Sequence, residues 1–286
     1  MAKEGERYYD IITPKKNLFD INFKEIWQYR DLLFLFVRRD FVAVYKQTVL
    51  GPLWFFIQPI FTTIIYTVVF STMGNISTDG LPPILFYLCG VTSWNYFSEC
   101  LTKTSNTFVA NAGIFGKVYF PRLVLPMSIV ISNLIKFGVQ FLLFTVVLLY
   151  YYSTSDVIQP NKFAFTLPAL ILLMAGLGFG FGIIISSLTT RYRDFQFLIV
   201  FGIQLFMYAT PIVYPLSLVN ERLGNYAWVV ELNPMTSIVE AMRYGFLGTG
   251  QFDWGGLLYS FGFMCVLLIS GVVVFNKVEQ NFIDTV

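Results

Sequence analysis

Polar side chains recur at helical spacing within three otherwise apolar stretches of this chain. Asn133, Lys136 and Gln140 are spaced i, i+3 and i+7, so they share one face of a helix. Similar stripes occur in two other stretches, with Gln58, Thr62 and Tyr66 in one and Gln204 and Tyr208 in the other. Such stripes can line the path of a hydrophilic substrate, or they can join helices through polar contacts of about 1 kcal/mol each. The residue types leave both interpretations open.

One charged side chain, Lys136, lies near the middle of an apolar stretch, and Glu99 lies near the boundary of another. A lysine at the centre of a membrane-spanning helix costs about 2.5 to 3.5 kcal/mol on insertion. We therefore expect Lys136 to face protein or water rather than lipid.

Three basic residues, Arg38, Arg39 and Lys46, stand in an amphipathic segment before the first apolar stretch. The pattern predicts a helix over about 23–48, with Asp20 as its N-cap. Such a helix lies in the plane of a membrane surface, where a basic cluster at headgroup level can hold an anionic group. The alternatives are an ordinary cytosolic packing helix, or basic residues that serve only as an anchor.

Several kinds of chemistry are missing from the sequence. The chain has no histidine, which excludes histidine-based acid–base catalysis and histidine-bound metals. Its three cysteines fall in or beside apolar runs, where small buried hydrophobes are expected. The nearest approach to a phosphate-binding loop, at 113–118, has neither the spacing nor the hydroxyl residue that nucleotide binding requires. A net charge of only +2 gives no basic field for nucleic acid.

The composition is that of an all-α integral membrane protein. Hydrophobic residues make up 56% of the chain and charged residues 13%, with a mean hydropathy of +0.65. Six stretches are long enough to cross about 30 Å of hydrocarbon. The predicted transmembrane helices are 53–73, 83–101, 123–150, 163–188, 195–216 and 257–275. The second has a polar half, which can cross a membrane only if it packs against protein.

The placement of basic residues predicts the orientation. Of the lysines and arginines near the span ends, nine lie on one side and three on the other, which places both termini in the cytoplasm. The chain then divides into a cytoplasmic N-terminal segment, 1–52, and a transmembrane domain, 53–286.

Two stretches between spans are expected to form short elements outside the membrane-spanning helices. The first, 103–121, is too polar to cross a membrane and too apolar to be a free linker, so it is expected to form a short docked helix or turn. The second, 217–256 on the outer side, is moderately apolar without a full span. Within it, Asn233 and Pro234 open the run 235–244, a candidate short amphipathic helix that dips into the outer interface. That helix could act as a gate, or equally as a passive cap.

Small residues in the fourth span form two overlapping motifs of four-residue spacing. They are Gly176 with Gly180, and Gly178 with Gly182. Such spacing is typical of close helix packing, either within one protomer or at a dimer seam.

Four segments together resemble a known family. They are 29–59 (YRDLLFLFVRRDFVAVYKQTVLGPLWFFIQP), 114–126 (IFGKVYFPRLVLP), 189–194 (TTRYRD) and 231–245 (ELNPMTSIVEAMRYG). In this order they resemble the membrane subunit of ATP-binding-cassette exporters of the second type, which move lipid-linked polysaccharides such as O-antigen, capsule or teichoic acid. The resemblance covers nearly the whole chain from about residue 29 onward.

The resemblance implies a half-transporter with partners. It would pair with a second copy of itself and with two separate nucleotide-binding subunits, which would hold ATP and Mg²⁺, while this chain holds no cofactor or metal. The substrate would be a polyprenyl pyrophosphate-linked polysaccharide, with Arg38, Arg39 and Lys46 at its pyrophosphate, and the location a bacterial cytoplasmic (inner) membrane.

The resemblance also implies roles for the segments outside the spans. The N-terminal helix would lie at the cytoplasmic interface, and short re-entrant helices would precede the last span on the outer side. A cytoplasmic coupling helix that contacts the ATPase would contain Asn111, Phe115 and Lys117. An outer gate would contain Asn233, Pro234, Glu240 and Arg243.

Two other functions stay open. A subunit that exports a drug or a smaller lipid would belong to the same superfamily. A membrane-embedded glycosyl or acyl transferase is the third possibility, but it needs a convergent acid–base pair, and the outer acidic residues are scattered along the chain.

Overall fold

The structure is a computed structural model that describes residues 23–46, 49–115, 120–191 and 194–282. Every regular element in these ranges is helical, as the composition predicted. Within them, four helices are long and apolar enough to cross a membrane, so the chain is a multi-pass membrane protein. They are Gly51–Met73, Val124–Thr154, Lys162–Thr189 and Trp254–Lys277.

The N-terminal amphipathic segment forms two helices, α1 (Phe23–Gln28) and α2 (Arg30–Tyr45). The single helix predicted over 23–48 was therefore wrong. The break comes at Tyr29, whose N–H is shared between two preceding carbonyls at 3.3 and 3.1 Å. This shared bond tightens the last turn of α1 and interrupts the regular ladder. The predicted N-cap, Asp20, lies outside the described residues.

The first apolar stretch forms one continuous helix with three kinds of turn. A 3-10 turn at Gly51–Leu53 leads into α3 (Trp54–Tyr66), and a π-helical segment follows at Thr67–Met73. Gly51 has a φ of +51°, in the left-handed region that glycine adopts readily.

The second predicted span, α4 (Pro83–Ser105), is the most enclosed of the long helices. Thr92 and Ser93, in its polar half, are completely buried, so this half packs against protein as predicted. The same polar residues lower its hydropathy, and α4 is for that reason not among the four apolar spans.

Two single-turn helices follow, α5 (Thr107–Ala110) and α6 (Ala112–Phe115). They lie in the segment that was expected to dock on a partner. Residues 116–119 of that segment lie outside the described residues.

The next two spans run close to their predicted limits. They are α7 (Val124–Thr154) and α8 (Leu167–Arg191), and a 3-10 turn at Lys162–Thr166 precedes α8. At 31 residues, α7 ends at Thr154, just beyond its predicted end at residue 150.

The fifth predicted span is shorter than expected, and its predicted end at 216 was wrong. The helix α9 (Phe195–Tyr208) has 14 residues, about 21 Å at 1.5 Å per residue, which is less than the hydrocarbon thickness. Pro211 and Pro215 lie just beyond it and cannot donate the backbone hydrogen bonds of a continuing helix. The apolar stretch therefore continues as the irregular connection 209–215.

Three short helices follow, α10 (Leu216–Leu223), α11 (Trp228–Glu231) and α12 (Pro234–Leu247). The helix predicted over 235–244 is thus confirmed as α12. Asn233 caps it, because its Oδ1 accepts a hydrogen bond of 2.9 Å from the N–H of Met235. The last helix is α13 (Trp254–Phe282).

The glycines of α8 serve two neighbours within the same protomer. A Cβ on Gly178 or Gly182 would lie 2.7 or 2.5 Å from the Cβ atoms of Cys100 and Thr104 on α4. A Cβ on Gly180 would lie 3.0 Å from the Cβ of Leu267 on α13. Gly176, the other member of that motif, faces the same helix. Of the two interpretations of these motifs, the structure therefore selects close packing inside the protomer.

The bundle has two ends. We call the end that carries Ser105 and Phe275 the proximal end, where α1, α2 and α5 also lie, and the opposite end, with Phe86 and Arg243, the distal end.

Candidate functional site

Polar side chains join α4 to α7 in three successive pairs, which we call the polar ladder. Lys103 Nζ donates to Asn133 Oδ1 at 2.8 Å, and Asn95 Nδ2 donates to Gln140 Oε1 at 3.3 Å. Between them, Lys136 Nζ donates to Glu99 Oε1. The helices run antiparallel, so each turn of one meets a turn of the other.

The sequence predicted only one side of this ladder. Asn133, Lys136 and Gln140 were chosen for their shared face, and Lys136 faces protein as expected. Their partners Asn95, Glu99 and Lys103 were not chosen as site residues. Their spacing of four residues on α4 is the signal that could have found them.

Glu99 is the anion of a small charged group. Its Oε2 lies 3.2 Å from Lys103 Nζ while its Oε1 accepts from Lys136, so one carboxylate faces two ammonium groups. The side chains of Glu99 and Lys136 are 21% and 15% exposed, and Lys103 is about half exposed. Low polarity around the inner pair strengthens their attraction and makes either charge costly to leave alone.

Lys136 also attaches α3 to the ladder. Its Nζ lies 3.5 Å from Gln58 Oε1 and 5.6 Å from the centre of the Phe55 ring. A recess too narrow to hold a water molecule adjoins Lys136, lined by ladder residues together with Tyr96 and Phe137. Gln140 is buried there, and its Nε2 has no hydrogen-bond partner.

The remaining path candidates do not join the ladder. Thr62 donates to a carbonyl of its own helix, Gln58 O, at 2.9 Å. Tyr66 is half-buried and donates to Met207 Sδ at 3.4 Å, which brings α3 next to α9. Gln204 and Tyr208 lie on an exposed face of α9.

The basic candidates lie on the exposed side of α2. Arg38, Arg39 and Lys46 are all exposed. Arg39 pairs with Asp40 at 2.8 Å and lies 4.8 Å from the centre of the Phe36 ring.

The opposite side of α2 packs on α7. Leu33, Phe36 and Val37 are buried against Val124 and Leu125. A second apolar group on α1 and α2 is exposed and consists of Trp27, Phe34 and Leu35. The N-terminal helices thus hold to the bundle by one apolar face and present another.

The coupling candidates are only partly described. Asn111 donates to the Thr107 carbonyl at 3.0 Å, while Lys117 and the side chain of Phe115 lie outside the described residues. Nearby, Phe108 stacks on Phe275 of α13 with ring centres 4.6 Å apart. The sequence did not predict this anchor between α5 and the last helix.

The gate candidates are all buried at the distal end. Arg243 Nη1 donates to Glu240 Oε1 at 3.0 Å, and the two residues are 1% and 3% exposed. Asn233 Nδ2 donates to Thr210 Oγ1 at 2.8 Å, and the carbonyl of Pro234 accepts from Ser260 Oγ at 2.8 Å. The structure therefore pairs Glu240 with Arg243 directly, while Asn233 and Pro234 contact other residues near the start of α12.

The described residues form a helical membrane bundle with charged side chains held between its helices, an arrangement typical of membrane transport proteins. The family model for ABC-2 type transporters matches residues 31–247. The chain belongs to this family of transporter membrane subunits.

Curated relatives match over most of their length. An O-antigen export system permease protein, RfbA, of Klebsiella pneumoniae is 29% identical over 255 residues, which cover 89% of this chain and 94% of that protein. A second RfbA permease of the same species is 28% identical over the same shares. The RfbA permease of Myxococcus xanthus is 26% identical, covering 92% of this chain and 98% of its own.

Proposed function

We propose that this chain is the transmembrane subunit of an ATP-driven exporter of O-antigen, a polysaccharide built on a polyprenyl pyrophosphate carrier. The observation that carries the proposal is similarity to three O-antigen export permeases over 89 to 92% of this chain. Such coverage extends over most of the transmembrane bundle.

The energy source is a separate nucleotide-binding subunit. This chain has no phosphate-binding loop, so ATP and Mg²⁺ are held by the partner. Two such subunits bind two copies of this chain, and the segment 103–121, which contains α5 and α6, forms the coupling surface. The stack of Phe108 on Phe275 supports this role, because it connects that surface to the last helix.

The membrane arrangement follows the charge bias of the sequence. Six segments cross the membrane: the four apolar spans, α4, and α9. Because α9 is short, it crosses together with the connection 209–215. Both termini are cytoplasmic in a bacterial inner membrane, so the proximal end faces the cytoplasm and the distal end faces outward.

The substrate path lies between two copies of the chain. Gln204 and Tyr208 are exposed on α9, and a polar side chain at membrane depth requires protein or water beside it. Gln58 and Tyr66 lie on the neighbouring α3. ATP binding closes the partner subunits and favours one arrangement of the spans over another, which moves the glycan outward.

Complementation tests the proposal. In a bacterium whose own copy of this gene is deleted, the chain supplied with its ATPase partner should restore O-antigen at the cell surface. Its loss should leave lipid-linked glycan inside the cell. A deletion strain with normal surface O-antigen but impaired release of a drug or small lipid would instead favour the alternative exporter function.

A further inference from the structure

The distal helix α12 is fastened at two points to the connection that follows α9. Near its start, Asn233 Nδ2 donates to Thr210 Oγ1 at 2.8 Å and to the Ala209 carbonyl at 3.2 Å. In its third turn, Arg243 Nη2 donates to the Ile212 carbonyl at 2.8 Å. The two attachment points are ten residues apart, about 15 Å along a helix, so they fix both the position and the direction of the connection.

Arg243 is held in place from several sides. Its guanidinium carbon lies 3.8 Å from the centre of the Phe86 ring on α4, a cation–π arrangement. Glu240 neutralises it at 3.0 Å, and the second carboxylate oxygen of Glu240 accepts from the N–H of Gln251 at 3.2 Å. The face of the planar guanidinium therefore packs on an aromatic ring, and its edge donates hydrogen bonds to two acceptors. A lysine cannot make this combination of contacts.

Two glycines leave the room that this arrangement needs. A Cβ on Gly90 of α4 would lie 3.2 Å from Arg243 Nη2 and also 3.2 Å from the Ile212 carbonyl oxygen. Gly250 has a φ of +108°, and a Cβ there would lie 2.9 Å from Glu240 Oε2. The backbone around Arg243 is thus shaped closely to the side chain.

From these contacts we infer that Arg243 is a positioning residue, which locks α12, the distal part of α4 and the connection 209–215 into one body. Because α9 ends at Tyr208, directly before this connection, a movement of α12 carries the distal end of α9 with it. Only the consequence for transport rests on the proposed function: α9 carries the path candidates Gln204 and Tyr208, so a movement of α9 would change the substrate path.

This assignment changes the role expected of the gate residues. Asn233, Glu240 and Arg243 are buried and do not face an opening. They hold the connection 209–215, and through it the distal end of α9. Any outward opening that moves α12 then moves α9 as well.

The test measures local release of the connection and does not depend on export. A single cysteine replaces the buried Val213, in a full-length chain whose three native cysteines are alanine, and it is labelled in membranes with a membrane-permeant maleimide. Arg243→Met should raise the labelling rate roughly tenfold or more, because loss of one partner of a buried charge pair favours local opening. Arg243→Lys should also raise it, since lysine lacks the fork.

Two controls separate local release from general loosening. Ser260→Ala removes another buried hydrogen bond of α12, to Pro234, but leaves the bridge to Ile212, and it should not change Val213→Cys labelling. A cysteine at Met174, buried in α8, should stay unlabelled in every variant.

The inference is overturned if Val213→Cys labels at the original rate in an Arg243→Met chain whose Met174→Cys reporter is still protected. If Arg243→Met does not insert or assemble, Gly90→Ala carries the test, because its Cβ would lie 3.2 Å from both atoms of the bridge and crowds them without removing a charge. Unchanged labelling in that variant contradicts the inference. If the variants show raised labelling but the unmutated chain fails to restore surface O-antigen, the inference about Arg243 is retained and the proposed substrate is rejected.

Discussion

At the scale of single residues, the charges of the polar ladder are arranged around one carboxylate. Glu99 faces both Lys136 and Lys103, so the loss of each of the three charges should affect stability differently. Removing the carboxylate leaves two ammonium groups together, whereas removing Lys136 leaves Glu99 with Lys103. The order of their effects on stability follows from this geometry.

Glu99→Gln should therefore destabilise the folded chain by about 3 kcal/mol, the lower end of the effect of breaking a buried ion pair, because Lys136 and Glu99 are 15% and 21% exposed. Lys136→Met should cost less, and Lys103→Gln least, because the Lys103 side chain is 51% exposed. Thermal unfolding of the purified transporter measures the order. If Lys103→Gln proved as harmful as Glu99→Gln, the inner pair would not be the centre of the ladder.

A second prediction at this scale concerns the basic residues of α2. Arg38→Glu with Arg39→Glu should abolish export while the chain still inserts and binds its ATPase, because a pyrophosphate would meet negative charge at headgroup level. Arg30→Glu is the matched control, since Arg30 is a similarly exposed residue of the same helix. Normal O-antigen export by the double variant would reduce Arg38 and Arg39 to membrane anchors.

At the scale of elements, α8 is held by backbone proximity on two sides. Its glycines let α4 and α13 approach closely, and this leaves no room for side chains at those positions. The positions can be compared with glycines elsewhere in the bundle that face open space.

Gly182→Ala should destabilise the bundle by about 1 to 3 kcal/mol, because the new Cβ would lie 2.5 Å from Thr104 Cβ. Gly262→Ala on α13 is the control, since nothing lies within 4 Å of its Cβ position, and it should be neutral or slightly stabilising. Thermal unfolding of the two variants decides. Equal melting temperatures would mean that α8 and α4 separate more easily than the structure indicates.

At the scale of the whole molecule, α3 and α9 are neighbouring helices that the protomer leaves largely uncovered. Phe61 on α3 and Phe201 on α9 are exposed apolar side chains, and Gln204 on α9 is also exposed. Since α8 uses its small residues within the protomer, the second copy that we propose would have to bind elsewhere. An exposed glutamine at membrane depth favours the α3–α9 face, because lipid offers it no hydrogen bond.

Single cysteines at Phe61 or Phe201 should therefore form cross-links between two copies in oxidised membranes, in a chain without native cysteines. Cysteines at Leu258 and Val266 are the controls, because these residues of α13 are also exposed but belong to another side of the bundle. Cross-linking at Val266 with none at Phe201 would move the contact between copies to α13.

Much of the architecture could be predicted from the sequence. Long apolar runs, a proline after Gly51 and the Asn233–Pro234 start of α12 are local signals, and the helices they predict are present. Local signals also failed in places. The shared hydrogen bond that ends α1 at Tyr29 and the early end of α9 at Tyr208 depend on bonds that hydropathy does not record.

The sequence alone determined that the chain is a helical membrane protein without a nucleotide-binding loop, because composition and span length are properties of the chain itself. Only the tertiary structure decided which polar residues meet. It paired Lys136 with Glu99, placed Arg243 on the Ile212 carbonyl and assigned the glycines of α8 to two neighbours in one protomer. The physical reason is that spacing along a helix defines a face, but the partner of that face is set by packing between distant segments.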